Sequence, residues 1–317
     1  MTSELTNVFN RCMQIYDIKS KKTRKKLITQ WINSPLIRLN SPLRKYYSNA
    51  YYCSHKLEQL GDSVSAKYCN TRTCITCNGI RTANYIKNYG EQVFELNKPQ
   101  FVTLTAPTTW CTDVETLKYE IDRREGVWRK IYRNAKLSRN GKILFRGLKA
   151  MEITVRPDKY YHIHFHLIIE GEREAEWLKS QWLKHFTDAS PRLQVIKPLT
   201  SREGLLEVFK YGTKFSNKEK KLVNGKIIEV YKSVEPERLD TVIQALYKKR
   251  LISTFGGVRR VKDEDVNEIV ESVSIEDLAS ADHRTWEWVF DSDWYAHDTG
   301  EKFSDYVPSD ELRNIFK

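Results

Sequence analysis

Nine consecutive residues constrain this chain more than any others: Tyr161-His-Ile-His-Phe-His-Leu-Ile-Ile169. Apolar residues alternate there with histidine, and side chains on a strand point to opposite faces in turn. A strand is therefore expected over 160–169. Tyr161, Ile163, Phe165, Leu167 and Ile169 form its apolar face, and His162, His164 and His166 form the other. Three of the chain's seven histidines on one strand face exceed what packing needs. A solvated face more often carries Lys, Glu or Thr. This face reads as metal-binding, with an incidental polar face as the alternative.

The preceding segment supplies a carboxylate. Leu148 to Val155 also alternates, with Leu148, Ala150, Glu152 and Thr154 on one side. A three-residue loop, Pro157-Asp158-Lys159, pairs Arg156 with Tyr160 and, in the same register, Glu152 with His164. Directly opposed residues share a face, with Cβ atoms about 5 Å apart. Glu152, His164 and His166 are thus expected to converge on one ion. Two imidazoles and a carboxylate leave positions for water and a substrate oxygen, which suits Mg²⁺ or Mn²⁺. His162 stays open as a metal ligand, a donor behind the ligands or a nucleic-acid contact.

Around these strands the periodicity gives further elements. Phe101 to Ala106 reads as a strand, and Asp113 to about Arg133 as a helix with Asp113 as N-cap. Glu172–Phe186 is an amphipathic helix, Arg192–Ile196 a short strand, and Ser201 to about Lys214 a last helix. The order β-α-β-β-α-β-α is the split βαβ order of ferredoxin-like folds. The fold class is α+β, an antiparallel sheet with helices on one face. In the last helix Glu207 and Tyr211 stand four apart, on one face, with Lys210 and Lys214 beside the phenol. A phenol of pKa about 10 attacks phosphorus only when cations stabilise the phenolate. A merely structural Tyr–Glu pair is the alternative.

Four of the six cysteines, Cys53, Cys69, Cys74 and Cys77, fall within 25 positions, ending in CNTRTCITC. Two thiolates of a C-x2-C turn can meet one tetrahedral ion, and two more close a structural Zn²⁺ site. His55 is an alternative to Cys53, and reduced, buried thiols are the alternative to a metal. Arg72, Arg81 and Lys87 give this module a DNA-facing character. Cys12 and Cys111 read as small core residues.

Charge is unevenly spread. The net +12 divides into +23 over residues 1–260 and −11 over 261–317. The first 50 residues hold ten basic and two acidic residues. That pattern suits a nucleic-acid binder with an acidic extension. Deleting 261–317 is expected to tighten non-specific DNA binding. Mean hydropathy is −0.60, and no apolar run of about 18 residues offers a membrane span. The N-terminus lacks a secretory signal pattern, so a cytoplasmic location is expected.

Phe101-Val-Thr-Leu-Thr105, His162-Ile-His-Phe-His-Leu-Ile168 and Glu207-Val-Phe-Lys-Tyr-Gly-Thr-Lys214 resemble, in order, three motifs of plasmid rolling-circle replication initiators. These are HUH endonucleases, here of the branch with one tyrosine and a nearby glutamate. The cysteine cluster with Arg81, and Arg250-Leu-Ile-Ser-Thr-Phe-Gly-Gly257, resemble further motifs of that branch. Ile163 stands where the family often has proline.

The resemblance implies a mechanism. Tyr211 attacks a phosphodiester at the origin, keeps the 5′ phosphate and releases a 3′-OH. His164 and His166, with Glu152 as inferred third ligand, hold the metal. Glu207 later directs water to terminate, Lys214 serves the catalytic set, and Lys210, Arg72 and Arg81 contact DNA. Expected partners are single- and double-stranded origin DNA and the helicase and replication machinery of a bacterial or archaeal host. The expected parts are a basic helical segment (1–50), a cysteine zinc module (51–90), an HUH endonuclease domain (95–216), a basic family region (217–260) and an acidic tail (261–317). Trp110, Tyr160 and Tyr161 are candidates for base stacking. The alternatives are an HUH relaxase or transposase, and a non-catalytic zinc nucleic-acid-binding protein on a ferredoxin-like fold.

Overall fold

A computed structural model describes residues 2–61, 63–108, 110–137, 143–155, 160–209, 214–223, 226–260 and 283–316. In chain order the elements are α1 (Thr2–Arg38), α2 (Arg44–Tyr51), β1 (Lys56–Leu60), β2 (Ser63–Ala66), α3 (Ile75–Phe94) and β3 (Pro99–Thr105). There follow α4 (Val114–Leu137), β4 (Gly147–Val155), β5 (Tyr161–Glu170), α5 (Glu172–His185), β6 (Val195–Pro198) and α6 (Arg202–Phe209). The rest are β7 (Ser216–Val223), β8 (Lys226–Ser233), α7 (Pro236–Leu246), β9 (Ile252–Phe255), β10 (His283–Trp288), β11 (Trp294–Ala296) and α8 (Asp310–Phe316). Among the described residues no helix is long and apolar enough to cross a membrane. The chain divides into two compact units, Met1–Gly79 with Lys262–Lys317, and Ile80–Val261.

The second unit holds an antiparallel sheet in the order β6-β3-β5-β4-β9. The expected β-α-β-β-α-β-α order is present from β3 to α6. Thr116 N–H donates to Asp113 Oδ1 at 2.8 Å, which caps α4 as expected. The short strand β6 begins at Val195, because Pro191–Leu193 form a 3₁₀ turn first.

Helices cover both faces of this sheet, which corrects the one-face expectation. On one face Phe165 meets Trp182 of α5, ring centroids 5.5 Å apart. Lys149 reaches Glu125 of α4 on that same side, at 2.5 Å. On the other face Phe101, Leu148, Ala150 and Ile168 pack under Tyr89 and Val93 of α3 and Leu205, Val208 and Phe209 of α6. The reason lies in β5 itself. Its histidine face turns apolar at Ile168, where Leu167, Ile168 and Ile169 are all buried. That end needs helical cover, and the histidine end is left more open.

The expected basic family region, 217–260, carries β9. β9 pairs with β4, Ala150 opposite Ile252, as the edge of the same sheet. Gly256 follows it at φ +66°, where a Cβ would collide with the Phe145 carbonyl.

Of 261–317, residues 261–282 lie outside the described residues, and 283–316 join the first unit. In the first unit β10 inserts beside β1, giving the sheet β11-β10-β1-β2, with Leu57 opposite Trp286. Trp286, Trp288 and Trp294 form a core with Leu27 and Trp31 of α1, Leu57 and Phe303. Within β10 the tryptophans at 286 and 288 are buried while Glu287 between them stays partly exposed. Glu287 thus rides on the outer side of a strand whose inner side is core. By unit, the first carries 18 basic and 20 acidic residues, and the second 35 basic and 21 acidic, or +14.

Candidate active site and candidate metal centre

β5 lies between β3 and β4, so three strands frame its histidines. Across β4, Thr154, Glu152 and Ala150 stand opposite His162, His164 and His166. Across β3, Thr105 and Thr103 stand opposite His164 and His166. The pairing of Glu152 with His164 is the one that the short hairpin loop implies. The loop residues 156–159 themselves lie outside the described residues.

Glu152 is the charged hub of this face. Its Oε2 lies 3.0 Å from His166 Nε2, and its Oε1 lies 3.8 Å from Lys214 Nζ. Burial pushes its carboxyl up, but the His166 hydrogen bond and the Lys214 charge outweigh it and hold the group below the usual carboxylate range. His164 sits between His162 and His166, with ring centroids 4.1 and 5.8 Å away. Burial, then the charge of His162, pushes His164 down to about 3, so its imidazole is neutral and carries a lone pair. Its Nδ1 is buried with no hydrogen-bond partner among the described residues. The neutral imidazole of His164 with its buried orphan nitrogen, the second imidazole of His166 and an ionised carboxylate fit a divalent ion. The set is loose, however. Among the described residues, the four cysteines are the one group whose candidate ligand atoms all lie within 4.8 Å of one another. His164, His166 and Glu152 would have to draw together around an ion.

The cysteine group lies in the first unit. Cys53 follows α2, Cys69 follows β2, and Cys74 and Cys77 open α3. The Sγ atoms of Cys53 and Cys69 each lie 3.6 Å from Cys77 Sγ, and all four thiols are free. Backbone N–H groups of Cys69, Thr71 and Cys77 point at Cys53, Cys69 and Cys74 Sγ, each at 3.4 Å. Such donors favour thiolates. Hydrogen bonds from the neighbouring thiols hold Cys69 well below the usual range. This geometry could hold a metal such as zinc. His55 is not part of the set; it lies against Glu287, 3.6 Å away.

A family model described as Replication protein matches residues 62–299, about three quarters of the chain. The chain belongs to that family. No curated protein and no solved structure matches it. Membership supports a role as a plasmid replication initiator, with DNA as its partner.

In this replication protein the remaining expected site residues are spread unevenly. Glu207 is exposed on α6. That helix is described only to Phe209, so Lys210 and Tyr211 lie outside the described residues. Arg72 and Arg81 are half-buried at the cysteine loop and on α3. Tyr161 is buried on the core face, which removes it as a base-stacking residue. Trp110 is exposed, edge-on to exposed Tyr119 at 5.8 Å.

Several contributors were not singled out from the sequence. Lys26 of α1 is buried and donates to the Cys53 and Tyr51 carbonyls at 2.6 and 2.9 Å. Burial lowers it to about 8. Trp294 Nε1–H and Trp288 N–H donate to the Ser54 and His55 carbonyls, each at 2.9 Å. The segment bearing Cys53 is thus pinned from both ends of the chain. Thr103 and Thr105 touch the histidines directly. Their signal was visible, since both sit on the side of β3 that pairs with the histidine row.

Proposed function

We propose that this replication protein initiates rolling-circle replication by nicking one strand of its origin and remaining covalently attached to it. Proteins of the family are generally endonucleases of that process. The observation that carries the reading is the Glu152–His166–Lys214 contact set on the histidine face of β5. Tyr211 stands three residues before Lys214 and two after Phe209, which packs on the same sheet face near Ala150.

In this reading His164, His166 and Glu152 hold Mg²⁺ or Mn²⁺. When bound, the ion supplies positive charge to the scissile phosphate. Lys214 favours the phenolate of Tyr211. The Tyr211 oxygen bonds to phosphorus, the P–O3′ bond breaks, and the departing oxygen takes a proton to become a 3′-OH. The 5′ phosphate stays on the tyrosine. After one round Glu207 takes a proton from water, which cleaves the regenerated junction and ends replication. Lys210, Arg72 and Arg81 contact DNA, the cysteines hold zinc, and a host helicase extends the process in the cytoplasm. Membership in the replication-protein family favours this reading over a relaxase or transposase.

The test is cleavage of a single-stranded origin oligonucleotide with Mn²⁺. Wild type should leave a protein–DNA adduct and Tyr211→Phe none. An adduct of equal yield in the variant would remove Tyr211 as nucleophile. No cleavage by wild type would favour the non-catalytic alternative.

A further inference from the structure

Resting on that reading, we infer that Thr103 and Thr105 are positioning residues that divide the histidine row. Thr103 aims His166 at the metal site, and Thr105 holds His162 Nε2 out of the ligand set.

The argument for Thr105 is a count of protons. A threonine hydroxyl has one proton to donate and two lone pairs. Thr105 Oγ1 lies 3.1 Å from the Ile163 carbonyl oxygen and 2.7 Å from His162 Nε2. For both contacts to be hydrogen bonds the hydroxyl proton goes to Ile163, since a carbonyl oxygen can only accept. His162 Nε2 must then carry a proton and donate it to Thr105. A protonated ring nitrogen has no lone pair for a metal. The heavy atoms around it are held in place, so Oγ1 keeps both neighbours within reach. Thr105 N–H donates to Gln194 Oε1 at 2.8 Å, and its carbonyl accepts from Trp182 Nε1 at 3.0 Å. Thr105, Gln194 and Trp182 are all buried. β6 reaches only to the partner of Thr103, so the Gln194 side chain replaces a missing strand bond at Thr105.

Thr103 acts on the other end of the row. Its Oγ1 lies 3.2 Å from His166 Nδ1, and Phe101 stacks on the same ring at 5.6 Å. With Nδ1 held there, Nε2 faces Glu152. Without metal, His166 Nε2–H donates to the Glu152 carboxylate, which can only accept, and Thr103 Oγ1 stays within hydrogen-bond reach of Nδ1. A metal at Nε2 needs that lone pair, so the proton belongs on Nδ1, where Thr103 must accept it. A hydroxyl serves both states by rotating about its C–O bond. A methyl group in its place serves neither.

Two measurements test this on the full chain. In metal-free protein, imidazole ¹⁵N spectra should show His162 with its proton on Nε2, kept in Thr105→Ser and lost in Thr105→Val. A wild-type His162 with its proton on Nδ1 overturns the Thr105 role. In Mn²⁺ titrations Thr103→Val should bind about ten- to hundredfold more weakly, with Thr103→Ser near wild type, the loss typical of an outer-shell partner. The metal-free melting temperature of each variant separates this from unfolding. Wild-type affinity in Thr103→Val overturns the Thr103 role. His162→Ala should keep most of the Mn²⁺ affinity and His166→Ala should not; equal losses overturn the division of the row. A wild type that binds no Mn²⁺ overturns the metal reading of the site, and the Thr103 role with it.

Discussion

Glu152 faces His164 across the β4–β5 ladder, in the middle of a five-stranded sheet. That one register places a carboxylate among three imidazoles, and a slip by one residue would send Glu152 into the opposite layer. Glu152→Gln keeps the shape and removes the charge. Mn²⁺-dependent nicking should fall at least about tenfold, with circular dichroism unchanged. Nicking at the wild-type rate would show that the carboxylate charge takes no part.

Glu207 tests the second half of the cycle. It is exposed on α6, so its truncation should cost little stability. Glu207→Ala should still form the adduct, while release by water slows. Single-turnover kinetics of the two steps check this. Equal slowing of both would assign Glu207 to the metal site or to the helix rather than to termination.

The cysteine group should be structural. A metal bound there adds its binding energy to folding. Zinc content should drop in Cys74→Ser, and a chelator should lower the melting temperature of wild type but not of that variant. Adduct formation by the second unit should suffer less than zinc binding, since the histidine face shares no residue with the cysteine cluster.

The sheet that carries the histidines was legible because its signals are local. Alternation over 161–169 and a three-residue loop are enough to set the Glu152–His164 register. The cover on the histidine face was not legible. Leu205, Val208 and Phe209 show helical spacing, but nothing in spacing says which face a helix lands on. β9 was missed for another reason: it joins β4 about a hundred residues away in sequence, with Ile252 opposite Ala150. Thr103 and Thr105 stood in the sequence as part of a motif without a role, because a hydroxyl shows its partners only in three dimensions. At the C-terminus the excess of acid masked a plainer signal. Trp286, Trp288 and Trp294 fall within nine residues, and tryptophans so dense imply burial.

Those tryptophans reverse the expectation for the C-terminal segment. Deleting residues 283–317 removes β10, β11 and α8 and uncovers Leu27, Trp31 and Leu57, which are buried in the intact unit. It also takes away the donors to the Ser54 and His55 carbonyls beside Cys53. The truncated chain should therefore lose zinc and its first melting transition, rather than bind DNA more tightly as a cleared electrostatic shield would. Point changes separate packing from charge. Trp294→Ala should cost about 3–5 kcal/mol by leaving a large cavity. Trp294→Phe should cost about 1–3 kcal/mol, mainly from the unpaired Ser54 carbonyl. Neutralising Glu287 and Asp298, on the outer side, should change stability little and raise non-specific DNA affinity slightly at low salt. Zinc content and melting curves of the variants decide between the two roles. A truncated chain with full zinc and tighter DNA binding would return the segment to the role of an acidic shield.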